Sequence, residues 1–245
     1  MENTTIFGLR AIIEAIDSGS TINKVYLQKG LRGSLFFELE TLIKKEQITT
    51  SFVPVEKLDR LSKNKNHQGA VAQISPIEFA DLEKLIETSL EATDAPLFLL
   101  LDQISDVRNF GAIIRTAECS GVNGIIIQQG GSAPINAETI KTSAGAAFKL
   151  PISRVNHIKD AIYMLQASDI KIVAATEKTE DLLYSVDFKQ AIAIVMGSEH
   201  RGINPSVLKI VDYKAKLPIL GSIDSLNVSV ACGAFLYEAL RQRIS

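Results

Sequence analysis

Apolar and polar positions alternate along this chain in two rhythms, and the change falls near Leu97. Before it, short segments of different period follow one another. "TTIFGLRAIIEAIDSG" reads as a capped helix closing at Gly19. "KVYLQ" predicts a short strand. In "SLFFELETLIKKEQ", Leu35, Phe36, Leu39, Leu42 and Ile43 fall on one helical face. "TTSFVP" predicts a strand, "VEKLDRLSKN" a short helix and "GAVAQIS" another strand. Residues 1–75 therefore predict a small α/β domain. The next segment, "PIEFADLEKLIETSLEATDAP", begins and ends with proline and carries Leu82, Leu85, Ile86 and Leu90 at helical spacing. It predicts a partly helical linker over 76–95.

From Leu97 the chain alternates strand and helix. "LFLLL" is an unbroken apolar run, as expected of a strand buried on both faces. A helix near 109–120, the strand "GIIIQ", helices near 137–147 and 157–168, and the strands "KIVAAT" and "AIAIVMG" follow. A short helix after Pro205, a strand "YKAKLPI" and a last helix reaching about Arg243 complete the series. Such alternation implies a parallel sheet covered by helices, and in such sheets ligands sit beyond the C-terminal strand ends. Three polar loops each follow an apolar strand: "DQISDVRN", "GSEHRGIN" and "LGSIDSLN".

Composition adds mainly exclusions. No apolar run reaches the ~18 residues of a membrane span, and no basic leader with an apolar core opens the chain, so no membrane and no signal peptide is expected. Cys119 and Cys232 each lie in an apolar helical pattern, which predicts two packed, reduced thiols and a cytoplasmic protein. His67, His157 and His200 have no ligand spacing, so no metal site is expected. Neither a G-x-G-x-x-G fingerprint nor a P-loop occurs, which disfavours a nicotinamide-dependent dehydrogenase. The net charge of −2 argues weakly against a nucleic-acid partner, but its distribution reverses that. Residues 1–75 carry +2, 76–95 carry −5 and 96–245 carry +1. The acid excess is confined to the linker, and the flanking parts permit RNA binding.

Each polar loop has an ordinary and a functional reading. Asn109 caps a helix or faces a ligand, and Gly111 admits a backbone or a ligand. Arg115 is a surface charge or a guanidinium aimed at a phosphate or carboxylate. Gly197 and Gly202 suit a tight turn or a flat ligand. Glu199 is a solvated acid, a partner for ligand hydroxyls, or an orienter of Arg115. Ser225 caps the last helix with Asn227 in its first turn, or both hold a ligand. Three separate loops carrying Gly, Asn, Ser and one charge at equivalent places favour the functional readings.

"NFGAIIRTAECSG", "IVMGSEHRGI" and "LPILGSIDSLNVSVACGAFLYEALRQR" resemble, in order and spacing, the three motifs of the SpoU (TrmH) class of RNA ribose 2′-O-methyltransferases, in the SPOUT superfamily. The likeness covers residues 97–245 almost without gaps. Residues 4–75, including "IFGLRAIIEAI" and "HQGAVA", resemble the small substrate-binding domain that precedes the catalytic domain in many members. The two-part layout is most similar to the bacterial enzymes that methylate a guanosine of 23S ribosomal RNA.

The resemblance implies a parallel-sheet α/β catalytic domain with a C-terminal trefoil knot over 96–245, and a homodimer joined through it. Phe235, Leu236 and Leu240 of the last helix offer more apolar surface than one sheet contact needs, which predicts the same dimer face. It implies that S-adenosylmethionine is the cofactor and ribosomal RNA the partner, with tRNA as the alternative, and a knotted RNA-binding protein without catalysis as a third reading. Asn109, Arg115, Glu199, Ser225 and Asn227 would form the catalytic set, with Arg115 at the reacting ribose. Gly197, Leu217 and Leu226 would contact the cofactor, largely through backbone groups. Phe110, Ile203 and His200 depart from the residues common at their places; none removes a functional group.

Overall fold

The computed structural model describes residues 5–199, 201–223 and 225–244. The first four residues of the small domain and His200 of the second loop lie outside the described residues. The chain divides into two compact units, residues 5–78 with 134–137, and residues 79–133 with 138–244.

In the first unit β1 (Thr5–Phe7), β2 (Ile22–Gln28), β3 (Thr50–Val53) and β4 (Ala70–Ile74) form a sheet of order β1-β4-β2-β3. β4 runs antiparallel to both neighbours, and β2 and β3 are parallel across the helical crossover α2 (Ser34–Lys45). Alternate strand residues Val25, Leu27, Ala70 and Ala72 bury against Ile12 and Ile13 of α1 (Leu9–Asp17) and Phe36, Leu39 and Ile43 of α2. On the other face Leu58 of α3 (Val55–Ser62) packs on Val53 and Val71. The single helix expected over residues 4–19 is a strand followed by a helix. Gly8, at φ +97°, turns the chain between them, and Thr5–Phe7 pairs with β4.

In the second unit six strands are all parallel, in the order β10-β8-β9-β5-β6-β7. They are β5 (Leu97–Asp102), β6 (Gly124–Gln128), β7 (Ile152–Val155), β8 (Lys171–Ala175), β9 (Ile192–Gly197) and β10 (Tyr213–Ala215). One face of the sheet, including Phe98, Leu100, Ile126, Ile172, Ala193 and Val195, packs on α4 (Leu82–Ala92) and α7 (Ile158–Ala167). α5 (Val107–Cys119), which precedes α6 (Ala137–Thr142), and the last helix α8 (Val228–Ile244) pack on each other, and α8 also packs on β9.

Several expectations change here. The acidic linker is largely a packed helix, because Leu82, Leu85 and Ile86 of α4 are buried in the second unit's core. Its charged face is left to water, and so is Leu90, the last residue of the expected apolar stripe. No helix follows Pro205; the chain passes through turns to β10, which is three residues long. β7 has no clear signature in the sequence, because "ISRV" is short and follows Pro151. Phe235 and Leu236 are buried within the chain and offer no surface to a partner. Cys232 is buried and its thiol is pushed up to about 12 by burial, but Cys119, at the outward-facing end of α5, is exposed.

Candidate active site

The site forms where the strands of the second unit end. Asp106 begins α5: its Oδ1 accepts from the backbone N–H of Arg108 at 3.0 Å and of Asn109 at 2.8 Å. Asn109 is therefore not the cap, and its side chain is left to reach outward from the first turn. Gly111 is required by packing, since a Cβ there would lie 1.8 Å from Thr142 Oγ1. The neighbour that Gly111 admits is the end of α6, not a ligand.

The second loop leaves β9 at Gly197 and folds back on itself. Ser198 and Gly202 exchange backbone hydrogen bonds at 3.2 and 2.8 Å. A Cβ on Gly197 would come within 2.2 Å of the backbone of Gly202 and Ile203, so only glycine lets the turn close. The loop's far end is held by Asp102, the last residue of β5, whose Oδ2 accepts from the Asn204 N–H at 2.7 Å. Asp102 is 2% exposed. Burial pushes its carboxyl above the usual carboxylate range, and the Asn204 bond draws it partly back. Nothing in the sequence marked Asp102 as the clamp of a loop 102 residues further on.

The third loop brings Asn227 to the start of α8. Its Oδ1 accepts from the Ser229 N–H at 2.9 Å and the Ser229 hydroxyl at 2.6 Å, so Asn227 is the cap and Ser225 is not. With the oxygen so engaged, the amide nitrogen points the other way. Asn227 Nδ2 donates to Glu199 Oε1 and to Asn109 Oδ1, both at 3.0 Å, and Asn109 Nδ2 donates to the same Glu199 oxygen. One side chain from each loop thus joins a closed triangle around a carboxylate. Glu199 is neither a free loop acid nor bonded to Arg115.

Beside this triangle is a cavity of about 470 Å³ at the ends of β8, β9 and β10. Its walls include Thr176, Gly197, Glu199, Leu217, Ser225, Leu226 and Phe235, with Glu177, Lys178 and Arg201 among its charged groups. The volume suits a small ligand. The donor set fits S-adenosylmethionine: apolar walls for a purine, carboxylates for hydroxyl and amino groups, and cations for a carboxylate. Leu217, Leu226 and Gly197 all line this cavity. Arg115 stands apart. It is exposed, does not line the cavity, and has no ion pair or bond to the other four among the described residues. Six residues along α5 from Asn109, it is turned about 120° around the helix axis. Among the described residues no group of side chains suits a metal ion, and no helix is long and apolar enough to cross a membrane.

A parallel sheet with a polar cluster and a cofactor-sized cavity at the C-terminal ends of its strands is an arrangement suited to an α/β enzyme with a nucleotide-like cofactor. Residues 96–237 match the SpoU rRNA Methylase family, and residues 5–80 match the RNA 2′-O ribose methyltransferase substrate-binding family. The chain belongs to the SpoU methylase family and is an S-adenosylmethionine-dependent RNA methyltransferase. Among its relatives, a protein of Staphylococcus haemolyticus named as a TrmH family tRNA/rRNA methyltransferase is 34% identical, over 99% of this chain and 97% of its own. An AdoMet-bound rRNA methyltransferase from Sinorhizobium meliloti superposes with a TM-score of 0.63 at 25% identity, over 98% of this chain and 88% of its own. A TrmH/SpoU tRNA modifying enzyme of A. aeolicus superposes with a TM-score of 0.57 at 31% identity, over 66% of this chain and 84% of its own.

Proposed function

We propose that this chain methylates a ribose 2′-oxygen, that of a guanosine in 23S ribosomal RNA, in the cytoplasm. The observation that carries the reading is the triangle of Asn109, Glu199 and Asn227 at the cavity edge. Three loops far apart in sequence have no structural need to converge on one solvent-facing carboxylate.

S-adenosylmethionine, when bound, supplies a methyl group on a sulfonium that leaves readily. The chain's own part is to hold and orient. Leu217, Leu226 and the Gly197 backbone form the wall of the cofactor cavity, with Ser225 beside them. Asn109 and Asn227 fix Glu199, whose second oxygen has no hydrogen-bond partner among the described residues and suits a hydroxyl or amine. Orientation of this kind supplies up to ~7–11 kcal/mol of a barrier. Arginine stays protonated and Arg115 does not line the cofactor cavity, so its proposed part is on the RNA side: once substrate docks it meets a phosphate and the developing alkoxide, and the proton leaves to phosphate or water. The trefoil knot belongs to the same proposal, threaded through the loops that follow β9 and β10.

The first unit favours ribosomal RNA over tRNA. The S. meliloti rRNA enzyme is matched along nearly the whole of this chain, whereas the A. aeolicus tRNA enzyme is matched over two thirds of it. Mass spectrometry of RNA from a deletion strain tests this. A 2′-O-methyl missing from 23S RNA supports the reading, and one missing from tRNA transfers it to the second substrate. We further propose a homodimer through the second unit. Its support is now Val230, Tyr237 and Ile244, exposed on α8 by 57%, 54% and 76%. A monomer by light scattering at micromolar concentration would contradict it.

A further inference from the structure

One face of the first unit's sheet carries a set of groups that folding alone leaves unmatched. Phe7 and Tyr26 both pair with Val71, and Tyr26 also pairs with Ser51. Residues opposite each other across strands share a face, so Phe7, Val71, Tyr26 and Ser51 form one row across all four strands. α3 covers part of that row through Leu58 and Leu61. The next row on the same face is Thr5, Gln73 and Lys24, polar and partly exposed.

Three ammonium groups gather at these rings. Lys24 Nζ lies 5.2 Å and Lys57 Nζ 5.4 Å from the Tyr26 ring centroid, and Lys65 Nζ lies 5.7 Å from that of Phe7. The nearby Asp59 carboxylate is engaged by His67 at 3.1 Å. Among the described residues none of the three lysines has a carboxylate partner. Cation–π contact holds such groups weakly, and like charges gathered on one face repel. What matches the set is a polyanion with flat apolar groups. Single-stranded RNA has both, with phosphates for the ammonium groups and bases for the accessible parts of the half-buried rings, and aromatics on a sheet face are a recurrent way of holding it.

We propose that this face, built from Phe7, Lys24, Tyr26, Lys57 and Lys65, binds an unpaired segment of the substrate RNA. The inference rests on the reading of the chain as an RNA methyltransferase and names where that RNA is held.

The test uses the whole chain, a fluorescent oligouridylate strand as probe, and three readouts: anisotropy across a salt series, S-adenosylmethionine binding by calorimetry, and methyl transfer to total RNA from a deletion strain. The variant is Lys24→Ala, Lys57→Ala and Lys65→Ala together. Three phosphate contacts on a single strand contribute roughly 2 to the slope of log affinity against log salt, or about 100-fold in affinity at ~0.1 M salt. The variant is expected to lose that much with cofactor affinity unchanged, and the corresponding triple arginine variant is expected to restore the slope. Tyr26→Leu, which keeps an apolar contact to Leu58, is expected to weaken the strand without changing the slope. Equal affinity and slope in the alanine variant, with methylation intact, would overturn the inference alone. A wild-type chain that neither binds the strand nor methylates RNA would overturn both the inference and the reading it rests on.

Discussion

Asn227 does two jobs with the two ends of one amide, and substitution separates them. Asn227→Ala removes the cap of α8 and both bonds that its amide nitrogen donates within the triangle. Loss of an Asn cap costs about 1 kcal/mol. For a chain of this size that corresponds to a fall in Tm of roughly 2–4 °C. Removal of one of the two amide donors to the site carboxylate, together with the bond that holds Asn109, is expected to lower single-turnover methylation by ~100-fold or more. Asn227→Asp keeps an oxygen acceptor at the start of α8, where negative charge is favoured, so the cap survives. It places a carboxylate oxygen about 3 Å from Glu199, where two charges in a water-like dielectric repel by about 1.4 kcal/mol. The stability of the Asp variant should therefore stay near that of the wild type or slightly below, while its methylation stays as poor as that of the Ala variant. Melting curves and a single-turnover assay with labelled cofactor decide the matter. If Asn227→Asp methylates at the wild-type rate, the amide donors are not part of the machinery and the triangle is only a means of starting a helix.

Arg115→Ala should leave melting and cofactor affinity nearly unchanged, because the side chain is exposed, and should lower turnover by at least ~100-fold; near-normal single-turnover rates would remove Arg115 from the site. A fragment beginning at Phe79 should bind S-adenosylmethionine with close to full-length affinity by calorimetry and methylate RNA very poorly. One beginning at Pro96 should not fold, because it lacks the buried Leu82, Leu85 and Ile86, worth roughly 5–9 kcal/mol together against a total stability of about 5–15 kcal/mol; circular dichroism distinguishes the two. Glu238, 8% exposed, is held down to about 2 from 4.5 by the Arg241 guanidinium, so its contribution is present above pH ~4.5 and lost as pH falls toward 2. Water around Arg241 limits it to about 1–2 kcal/mol, and the Tm advantage of the wild type over Glu238→Gln should shrink between pH 5 and 3.

What could be read from the chain beforehand follows from how local each signal is. β5 and β9 were legible because "LFLLL" and "AIAIVMG" are apolar without a break, which only a strand buried on both faces requires. α4 was legible as a helix from Leu82, Leu85, Ile86 and Leu90, but not as part of a core, since periodicity does not say what a face packs against. The Thr5–Phe7 strand merged with the helix pattern because three residues are too few to show a period. At the site, motif spacing pointed to Asn109, Glu199 and Asn227, and the structure joins them. Asp102 stayed hidden because its partner is a backbone N–H at Asn204, and backbone groups leave no trace in a sequence. The division of capping between Asp106, Asn109, Ser225 and Asn227 was illegible for a similar reason, since each residue type caps equally well and only the turn geometry chooses.

The triangle also has a history in time. Asn109 and Asn227 are 118 residues apart, and Glu199 lies 28 residues before Asn227. At a synthesis rate of ~5–20 residues per second, the first and last members leave the ribosome roughly 6–24 s apart. The interval opens with one of the second unit's six strands made and passes through all of them, and from Glu199 onward the carboxylate waits without the Asn227 amide that will help fix it. A chain released before α8 lacks Asn227 and its bonds to Glu199 and Asn109, and on the proposed reading it is expected not to methylate RNA. On the proposed reading, the site is complete only once α8 has docked.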